Sequence, residues 1–222
     1  MMVELGTMNT QTAIGQGVVS IPDKSSYNCS SYTGSTALLG NTTGQATETI
    51  NETDSIKIAY IVPGMLSITY RGVENPWGNI WKHIQGINIW GDGTMDGGQP
   101  YIANNFVFAK NEENGDNYEP VGFTLPNYGG YISAMGYGSK KFDWLLMPSE
   151  TRGDSGSPVG DYCYVTSNLL GYRIALLGER WLYGTNAGGF AWGCHSGVGV
   201  CARSIGGRLS YTPTGKSTTI ES

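Results

Sequence analysis

The sequence predicts an α+β fold, namely an irregular antiparallel sheet with long loops and one or two short helices. Three observations support this prediction. Glycine contributes 34 residues and charged residues only 14%, a composition that favours turns over long amphipathic helices. Short apolar runs recur between Gly- and Pro-containing turns, and several alternate with polar residues, as strands do. Aromatic residues make up 11% of the chain, which is enough to fill one sizeable core.

The chain divides into three parts. Residues 1–54 form an N-terminal arm and polar loop region, residues 55–213 the main domain, and residues 214–222 a polar tail. A short helix is predicted at residues 79–84, after Pro76, and residues 25–54 read as a long surface loop. Strands are predicted at residues 18–21, 55–61, 65–70, 87–90, 101–108, 162–166, 172–177, 188–192 and 208–212.

Charge and hydropathy argue against two kinds of partner. The net charge is −5 and the Lys and Arg residues are scattered, so no basic face for nucleic acid is expected. No apolar run reaches about 18 residues, so membrane insertion is not expected.

The opening residues MMVELGTMNT lack the basic and apolar parts of a signal peptide, which argues against Sec export.

No metal or cofactor site is predicted. The cysteines show no C-x-x-C spacing and the two histidines are far from clustered acids. Asp92 and Asp96 supply only two acids, so a β-turn is favoured there over a structural calcium loop, which remains the alternative. The spacing of Cys194 and Cys201 leaves open whether they form a disulfide.

Residues 171–209, GYRIALLGERWLYGTNAGGFAWGCHSGVGVCARSIGGRL, mix two kinds of position. Framework-like aromatic residues and glycines alternate with unlike side chains that follow neither a period of 2 nor one of 3.6, so no single buried face dictates them. Residues 181–211 contain no Lys, Glu, Gln, Met or Asp. Randomising the adenines of AAC or AAT codons would give this repertoire, and a glycine-rich composition arising by chance is the alternative.

Two motifs carry a resemblance to a known family. The pattern R-x-A-L-L-G-x-x-W-x-x-G-x-x-A-G-x-F, followed by x-W and R-x-I-G-G-R-L, resembles the variable region of proteins diversified by retroelements. Residues 70–89, YRGVENPWGNIWKHIQGINI, are similar to the E-N-x-x-G-N-I-W-K-W-V-D-G segment of such proteins in gut phages. They also resemble the G-N-V-W-E-W motif of the formylglycine-generating-enzyme branch of the C-type-lectin fold. Departures occur at His83, Gln85 and Glu179-Arg180, where Trp, Asp and Gly-Gly or Gly-Tyr are usual.

The resemblance implies a C-type-lectin-like fold and a non-enzymatic ligand- or receptor-binding protein of a phage or prophage, located on the virion or the bacterial cell surface. Its partners would be a protein or glycan receptor on a bacterial surface and other virion proteins, with a homo-oligomer as a further option. The variable region is residues 181–211. Its predicted ligand-binding residues are Leu182, Tyr183, Thr185, Ala191, Gly193, Cys194, His195, Ser196, Gly197, Gly199 and Ser204. The predicted framework residues are Trp77, Trp81, Trp181, Phe190, Trp192 and Arg208, and Trp90 and Trp144 are also expected in the core.

Two sequence features suggest enzymatic alternatives. The GDSGSP segment at residues 153–158 resembles the G-D-S-G-G-P around the nucleophile of chymotrypsin-like proteases. Ser155 would need a preceding histidine base, which leaves only His83 in an unrelated setting, so a surface turn is favoured. Formylglycine-generating enzymes use a late cysteine pair, but residues 195–200 match neither its spacing nor its context. A purely structural virion protein is the remaining alternative.

Overall fold

The computed structural model describes residues 6–21, 30–53, 56–94, 97–104 and 117–208; for residues 50–53 and 56–60 only the backbone is described. Within this part of the chain there is one α-helix, α1 (Thr10–Ile14), and 3-10 helices span Ala37–Leu39, Lys140–Phe142 and Gly184–Asn186. The strands are β1 (Gly44–Gln45), β2 (Thr49–Thr53), β3 (Ile56–Tyr60), β4 (Ile68–Tyr70), β5 (Val73–Glu74), β6 (Trp81–Asp92), β7 (Gln99–Ala103), β8 (Tyr118–Pro120), β9 (Gly130–Tyr131), β10 (Ala134–Tyr137), β11 (Leu146–Glu150), β12 (Tyr162–Val165), β13 (Leu170–Leu177), β14 (Trp192–Cys194) and β15 (Ile205–Gly206). The described chain is mostly β-sheet, as the coarse prediction of an α+β fold with few helices requires.

The central sheet has the strand order β8-β7-β6-β13-β14-β12-β9, with β15 also paired to β6. Its longest pairing joins β6 to β13 in antiparallel register, from Leu170 opposite Asp92 to Leu177 opposite Lys82, with a bulge between Ile174 and Ala175. The β12–β14 and β15–β6 pairs are parallel. The sheet is therefore mixed, whereas the sequence predicted antiparallel pairing alone.

Smaller sheets accompany the central one. Strands β1, β4 and β5 form an antiparallel three-stranded sheet, β10 pairs with β11, and β2 pairs with β3 as a hairpin. Two of these strands, β1 and β2, lie inside residues 25–54, so the prediction of a continuous loop there is wrong for the described residues. Residues 18–21 form only an isolated bridge from Val18 to Met65, not a strand.

The central sheet separates two apolar clusters because successive side chains of a strand point to opposite faces. On β13, Ala175 belongs to the main core with Ile89 and Leu169, whereas Ile174 and Leu176 pack with Trp81 on the other face. Strand β12 follows the same rule: Cys163 enters the main core and Tyr164 lies on the Trp81 face. This second face, covered by fewer apolar residues, is where the candidate site is found.

The predicted helix at residues 79–84 is wrong. Strand β6 begins at Trp81, and its first residues pair with β13 on one side and β15 on the other. Gly78 and Asn79 have φ values of 66° and 62°, a left-handed conformation that does not open a right-handed helix. The observed helix, α1, lies instead in the predicted N-terminal arm, where the Asn9 side chain caps it by accepting from Thr12 N at 3.0 Å.

Other boundaries differ by a few residues. Strand β14 covers Trp192–Cys194 instead of residues 188–192, because residues 187–191 form a turn closed by the Ala191 N to Gly188 O hydrogen bond. Strand β7 ends at Ala103, and the remainder of the predicted strand at 101–108 lies largely outside the described residues. Residues 209–212 and the polar tail also lie outside them.

Trp144 is 63% exposed, so its predicted place in the core is wrong. It follows the 3-10 helix Lys140–Phe142, where Phe142 and Leu145 take the buried positions instead. Among the described residues, no helix is long and apolar enough to cross a bilayer.

Candidate ligand-binding surface

Five rings form a continuous strip on the Trp81 side of the central sheet, which we call the aromatic face: Tyr131, Tyr162, Tyr164, Tyr183 and His195. The ring centroids of Tyr131 and Tyr162 are 5.3 Å apart, and those of Tyr162 and Tyr164 are 4.5 Å apart. Tyr164 then contacts Tyr183 at 5.9 Å and His195 at 5.7 Å. The four tyrosines are half-buried and His195 is exposed, so each ring keeps some surface for a ligand.

Local sequence places these rings together. In the YCYV sequence of β12, Tyr162 and Tyr164 are two residues apart and share a face, while Cys163 between them enters the core. Tyr131 on β9 is the direct cross-strand partner of Tyr162. Tyr164 pairs with Gly193 on β14, which has no side chain to cover the tyrosine ring. The edge of Trp81 supports Tyr164 from beneath, with centroids 6.0 Å apart and planes at 83°.

Hydrogen bonds fix the loop of the variable region against the aromatic face. The Tyr131 hydroxyl donates to Asn186 Oδ1 at 2.8 Å and lies 3.0 Å from Thr185 Oγ1. Asn186 Nδ2 donates to the Tyr164 hydroxyl at 2.8 Å. The 3-10 helix Gly184–Asn186 is thus held by two tyrosines from different strands, which restricts the conformations that the loop can adopt before binding.

Arg180 orders the neighbouring ring. Its guanidinium lies over Tyr183, 5.1 Å from the ring centroid, and its Nη2 donates to the Tyr183 hydroxyl at 3.2 Å. Its Nη1 donates to Ser204 Oγ at 3.0 Å. Arg180 therefore connects Tyr183 to Ser204 and presents a cation beside an aromatic surface.

Glu179 is a buried acid below the aromatic face. It is 1% exposed and has a φ of 63°. Burial raises the pKa of Glu179 to about 7, opposed by the hydrogen bond from Arg180 N, by Tyr164 and by the charges of Arg180 and Lys82. The same surroundings raise the pKa of Tyr164, first by burial and then by the Glu179 charge. The positive φ gives a physical reason why glycine is usual at this position in the family that the sequence resembles.

The pKa of His195 is shifted in favour of the neutral ring. Burial against its neighbours lowers the pKa of His195 below its ordinary value, a hydrogen bond to the Tyr164 backbone opposes this shift, and the nearby Arg173 charge adds to it. The imidazole can therefore both donate and accept a hydrogen bond. The histidine adds a polar edge to a surface otherwise made of phenol rings.

Seven of the predicted ligand-binding residues have exposed surface. Thr185, His195, Gly197 and Gly199 are exposed, and Leu182, Tyr183 and Ser196 are half-buried. Tyr183, Thr185 and His195 contact the aromatic face, whereas Leu182 packs beside Trp181, against the separate cluster of Val18 and Ile21.

Four predicted ligand-binding residues are buried, and the expectation that they are displayed is wrong: Ala191, Gly193, Cys194 and Ser204. At Gly193 an added Cβ would lie 3.1 Å from the Trp81 ring and 3.2 Å from Leu176 Cβ. Ala191 and Cys194 are fully buried, and Ser204 accepts from Arg180 while its carbonyl accepts from Trp81 N.

The predicted framework residues differ in burial. Trp77, Trp81, Trp181 and Trp192 are all buried, at 6% exposure or less. Phe190 is half-buried against the main core, and its backbone N–H donates to Asp161 Oδ2 at 2.7 Å. Arg208 is exposed at the surface, but its guanidinium donates to the carbonyl oxygens of Glu74 and Asn75. Trp90 is half-buried.

Three cysteines are free thiols in the described chain, and Cys29 lies outside it. The open question of a Cys194–Cys201 disulfide is thereby answered: Cys194 is buried beside Cys163, whereas Cys201 is exposed. Contact with Cys163 and burial raise the pKa of the Cys194 thiol, which disfavours a reactive thiolate.

The GDSGSP segment is a surface turn, as predicted. Ser155 is exposed, and the turn is closed by hydrogen bonds from Gly156 N to Asp154 Oδ1 and from Asp154 N to Ser157 Oγ, both 2.8 Å. His83 lies in β6 opposite Leu176, and no hydrogen bond joins Ser155 to either histidine in the described structure.

The predicted calcium alternative falls partly outside the described residues, which exclude Asp96. Asp92 Oδ1 accepts from Thr94 N at 2.8 Å and from Thr94 Oγ1 at 2.5 Å, as in a side-chain-stabilised turn. The part of the chain that is described contains no group of three or more His, Cys, Asp or Glu side chains placed to hold a metal ion.

Sequence reasoning missed most of the aromatic face. Tyr131, Tyr162 and Tyr164 lie outside the predicted ligand-binding set, and only Tyr183 and His195 were included; the neighbouring Arg180 was missed as well. The tyrosine alternation in YCYV was the available signal, since it places two rings on one face of a strand. Comparisons with protein-family models, curated proteins and solved structures gave no match to this chain.

Proposed function

We propose that the protein is a non-enzymatic ligand-binding protein that recognises its target through the aromatic face. The observation that carries this proposal is the unbroken series of ring contacts from Tyr131 to His195, with exposed surface on every ring. Tyrosines supply large contact area with few rotatable bonds, and a phenol can contact both apolar and polar groups of a ligand.

Preorganisation supports the proposal. Asn186 and Thr185 are bonded to the tyrosines, and Arg180 is bonded to Tyr183, before any ligand is present. A surface whose side chains already have their bound positions loses less conformational entropy on association. Substitutions at exposed positions such as Thr185 and His195 could then change the ligand without changing the fold.

The more specific part of the proposal rests on the sequence motifs. We propose that the fold is C-type-lectin-like and that residues 181–211 are a region diversified by a retroelement in a phage or prophage. The protein would be displayed on a virion or bacterial surface, where a protein or glycan receptor would contact the aromatic face. A DNA copy of residues 181–211 that differs only at adenines, beside a reverse-transcriptase gene, is the genomic result expected. Its absence from the source genome would contradict diversification.

Cell binding tests the recognition function directly. The fluorescently labelled protein is titrated onto a panel of gut bacterial strains, and bound protein is measured by flow cytometry. We expect saturable binding to a subset of strains and a loss of about tenfold or more in affinity for Tyr183→Ala and His195→Ala. Tyr137→Ala is the matched control, because Tyr137 is 71% exposed and outside the aromatic face.

Two results would contradict this function. One is equal binding by wild type, both aromatic-face variants and the control. The other is labelling of Ser155 by a fluorophosphonate together with a hydrolytic activity that Ser155→Ala abolishes, which would favour the protease alternative.

A further inference from the structure

A second concave site lies away from the aromatic face and shares no residue with it. It is a pocket of about 520 Å³ whose wall includes Ser31, Asn79, Lys82, Gly207 and Arg208. This volume falls within the range of small-molecule sites in proteins. The pocket lies where the start of β6 meets the end of the variable region.

Lys82 places a buried amino group at this pocket. Its Nζ donates to Gly78 O at 2.5 Å, and the residue is 9% exposed. Among the described residues, no carboxylate oxygen lies within the 4.0 Å that defines an ion pair with Lys82. An ammonium has three N–H donors, so two remain without a protein acceptor in the described structure. Burying a charge without its partners is costly, which favours an external acceptor.

Other donors surround Lys82. Asn79 Oδ1 accepts from Ser31 N at 2.7 Å, and no hydrogen bond from the NH₂ group of that amide is found among the described residues. Arg208 donates one nitrogen, Nη2, to the carbonyl oxygens of Glu74 and Asn75. An arginine has five N–H donors, and further ones remain.

Among the described residues, the one carboxylate that lines the pocket is already engaged. Glu74 Oε1 accepts from Gly34 N at 3.0 Å, and Glu74 Oε2 accepts from Thr36 N at 2.8 Å and Thr36 Oγ1 at 2.9 Å. These bonds commit the Glu74 carboxylate to the loop at residues 34–36, away from Lys82. The pocket is therefore rich in donors and poor in available acceptors.

We infer that this pocket binds one oxyanion group, a phosphate, sulfate or carboxylate, between Lys82, Asn79 and Arg208. Two cations and an amide N–H match the several acceptor oxygens of such a group. Gly206 and Gly207 leave one wall without long side chains, so the group can be attached to a larger molecule such as a sugar acid. The inference does not depend on the aromatic face.

Electrostatics set the pH dependence expected for binding at this pocket. Burial lowers the pKa of Lys82 well below its ordinary value, and the Arg208 charge lowers it further, while Glu179 acts in the opposite direction. Glu74 is the other charged group at the pocket wall. A bound anion would favour the ammonium form, so binding should take up a proton and weaken as pH rises.

Isothermal titration calorimetry of the full chain tests the inference with sodium phosphate, sodium sulfate and sodium glucuronate at constant ionic strength. We expect saturable binding of at least one anion, and a loss of at least about tenfold in affinity for Lys82→Met. Methionine fills the buried position without a charge. Lys140→Met is the matched control, since Lys140 is exposed and remote from the pocket wall, and its affinity should equal that of wild type.

Gly207→Leu is a second variant that tests the same pocket if Lys82→Met does not fold. A Cβ at Gly207 meets no atom within 4 Å, so Gly207→Leu should fold and obstruct the pocket, with the same loss of affinity. Phosphate binding alone would indicate a phosphoryl ligand, and glucuronate binding alone a sugar carboxylate; either supports the inference. No saturable binding by wild type, or equal affinity in wild type and Gly207→Leu, would overturn it.

Discussion

Residues 181–187 and residues 196–203 are held in different ways. Residues 181–187, the clamped segment, are fixed along their length: Trp181 N donates to Asn79 O at 3.2 Å, and Gly184 N to Val19 O at 2.9 Å. Asn186 donates to Tyr164. Trp181 is 1% exposed and packs with Val18 and Ile21. Every part of this segment has a partner distant in sequence.

Residues 196–203, the open loop, are held mainly where they begin and end. Ile174 N donates to Ser196 O at 2.9 Å, and Trp81 N donates to Ser204 O at 2.8 Å just beyond the loop. Between these anchors, Val198 and Val200 are 36% and 39% exposed, and an added Cβ at Gly197 or Gly199 meets nothing within 4 Å. We therefore expect the open loop to accept new side chains more readily than the clamped segment, because its backbone is anchored at the ends and its side chains face solvent.

The largest expected effect is the loss of the indole that anchors the clamped segment. Trp181→Ala should lower the free energy of unfolding by about 3–5 kcal/mol, because it removes a fully buried large side chain. Val200→Ala in the open loop should change it by no more than about 0.5 kcal/mol. Urea denaturation of both variants measures the difference. Similar losses in the two variants would contradict the proposed difference between the clamped segment and the open loop.

Glu179, which immediately precedes Arg180 and the clamped segment, should give the next largest effect. Its pKa rises from 4.5 to about 7 on burial, so the folded protein holds this proton more tightly than the unfolded chain does. The free energy of unfolding should therefore fall by about 3 kcal/mol as pH rises from about 4.5 to about 7. Glu179→Gln should remove this contribution. Denaturation curves at several pH values, compared between the two proteins, would show parallel pH profiles if Glu179 had no such role.

A glycine pair gives a smaller contrast. Gly193→Leu should destabilise by about 1–3 kcal/mol, because its side chain would meet Trp81 and Leu176. Gly199→Leu in the open loop should stay within about 0.5 kcal/mol. Thermal unfolding measures the Tm of both variants. If Gly193→Leu is well tolerated, residue 193 is exposed, as the sequence predicted.

The smallest effect is expected at Cys201. It is an exposed free thiol in the open loop, so Cys201→Ser should change the free energy of unfolding by no more than about 0.5 kcal/mol. Adding dithiothreitol should leave the Tm of wild type unchanged, because the described thiols are already reduced. A lower Tm in dithiothreitol would indicate a disulfide and contradict this prediction.

The parts of the fold that follow from local sequence were predictable. The predicted strands at residues 162–166 and 172–177 match β12 and β13 within two residues, and Trp77, Trp81, Trp181 and Trp192 lie in the interior as predicted. These inferences need only the chemistry of neighbouring residues. The C-type-lectin-like assignment, the display function and the domain boundary near residue 54 stay predictions.

The candidate site was less predictable because exposure in a segment without periodicity depends on distant residues. Gly193 is buried because Trp81, more than a hundred positions earlier, covers it. Tyr131 joins the aromatic face only because β9 pairs with β12. Composition also does not predict the left-handed backbone at Glu179. The only signal in the sequence was that Glu179 stands where glycine is usual in the proteins that the sequence resembles.

The hydrogen bonds of α1 to residues 184–189 affect the order in which parts of the protein fold. Thr10 Oγ1 accepts from Gly189 N at 2.8 Å, and Gln11 Nε2 donates to Gly184 O at 3.1 Å and to Ala187 O. These bonds close loops of more than 170 residues, and contacts of such large sequence separation form slowly. The loop at residues 184–189 should therefore reach its final position late, after synthesis has passed residue 189. The hydrogen bonds that join Asn186 to Tyr131 and Tyr164 would then form in one of the last steps of folding.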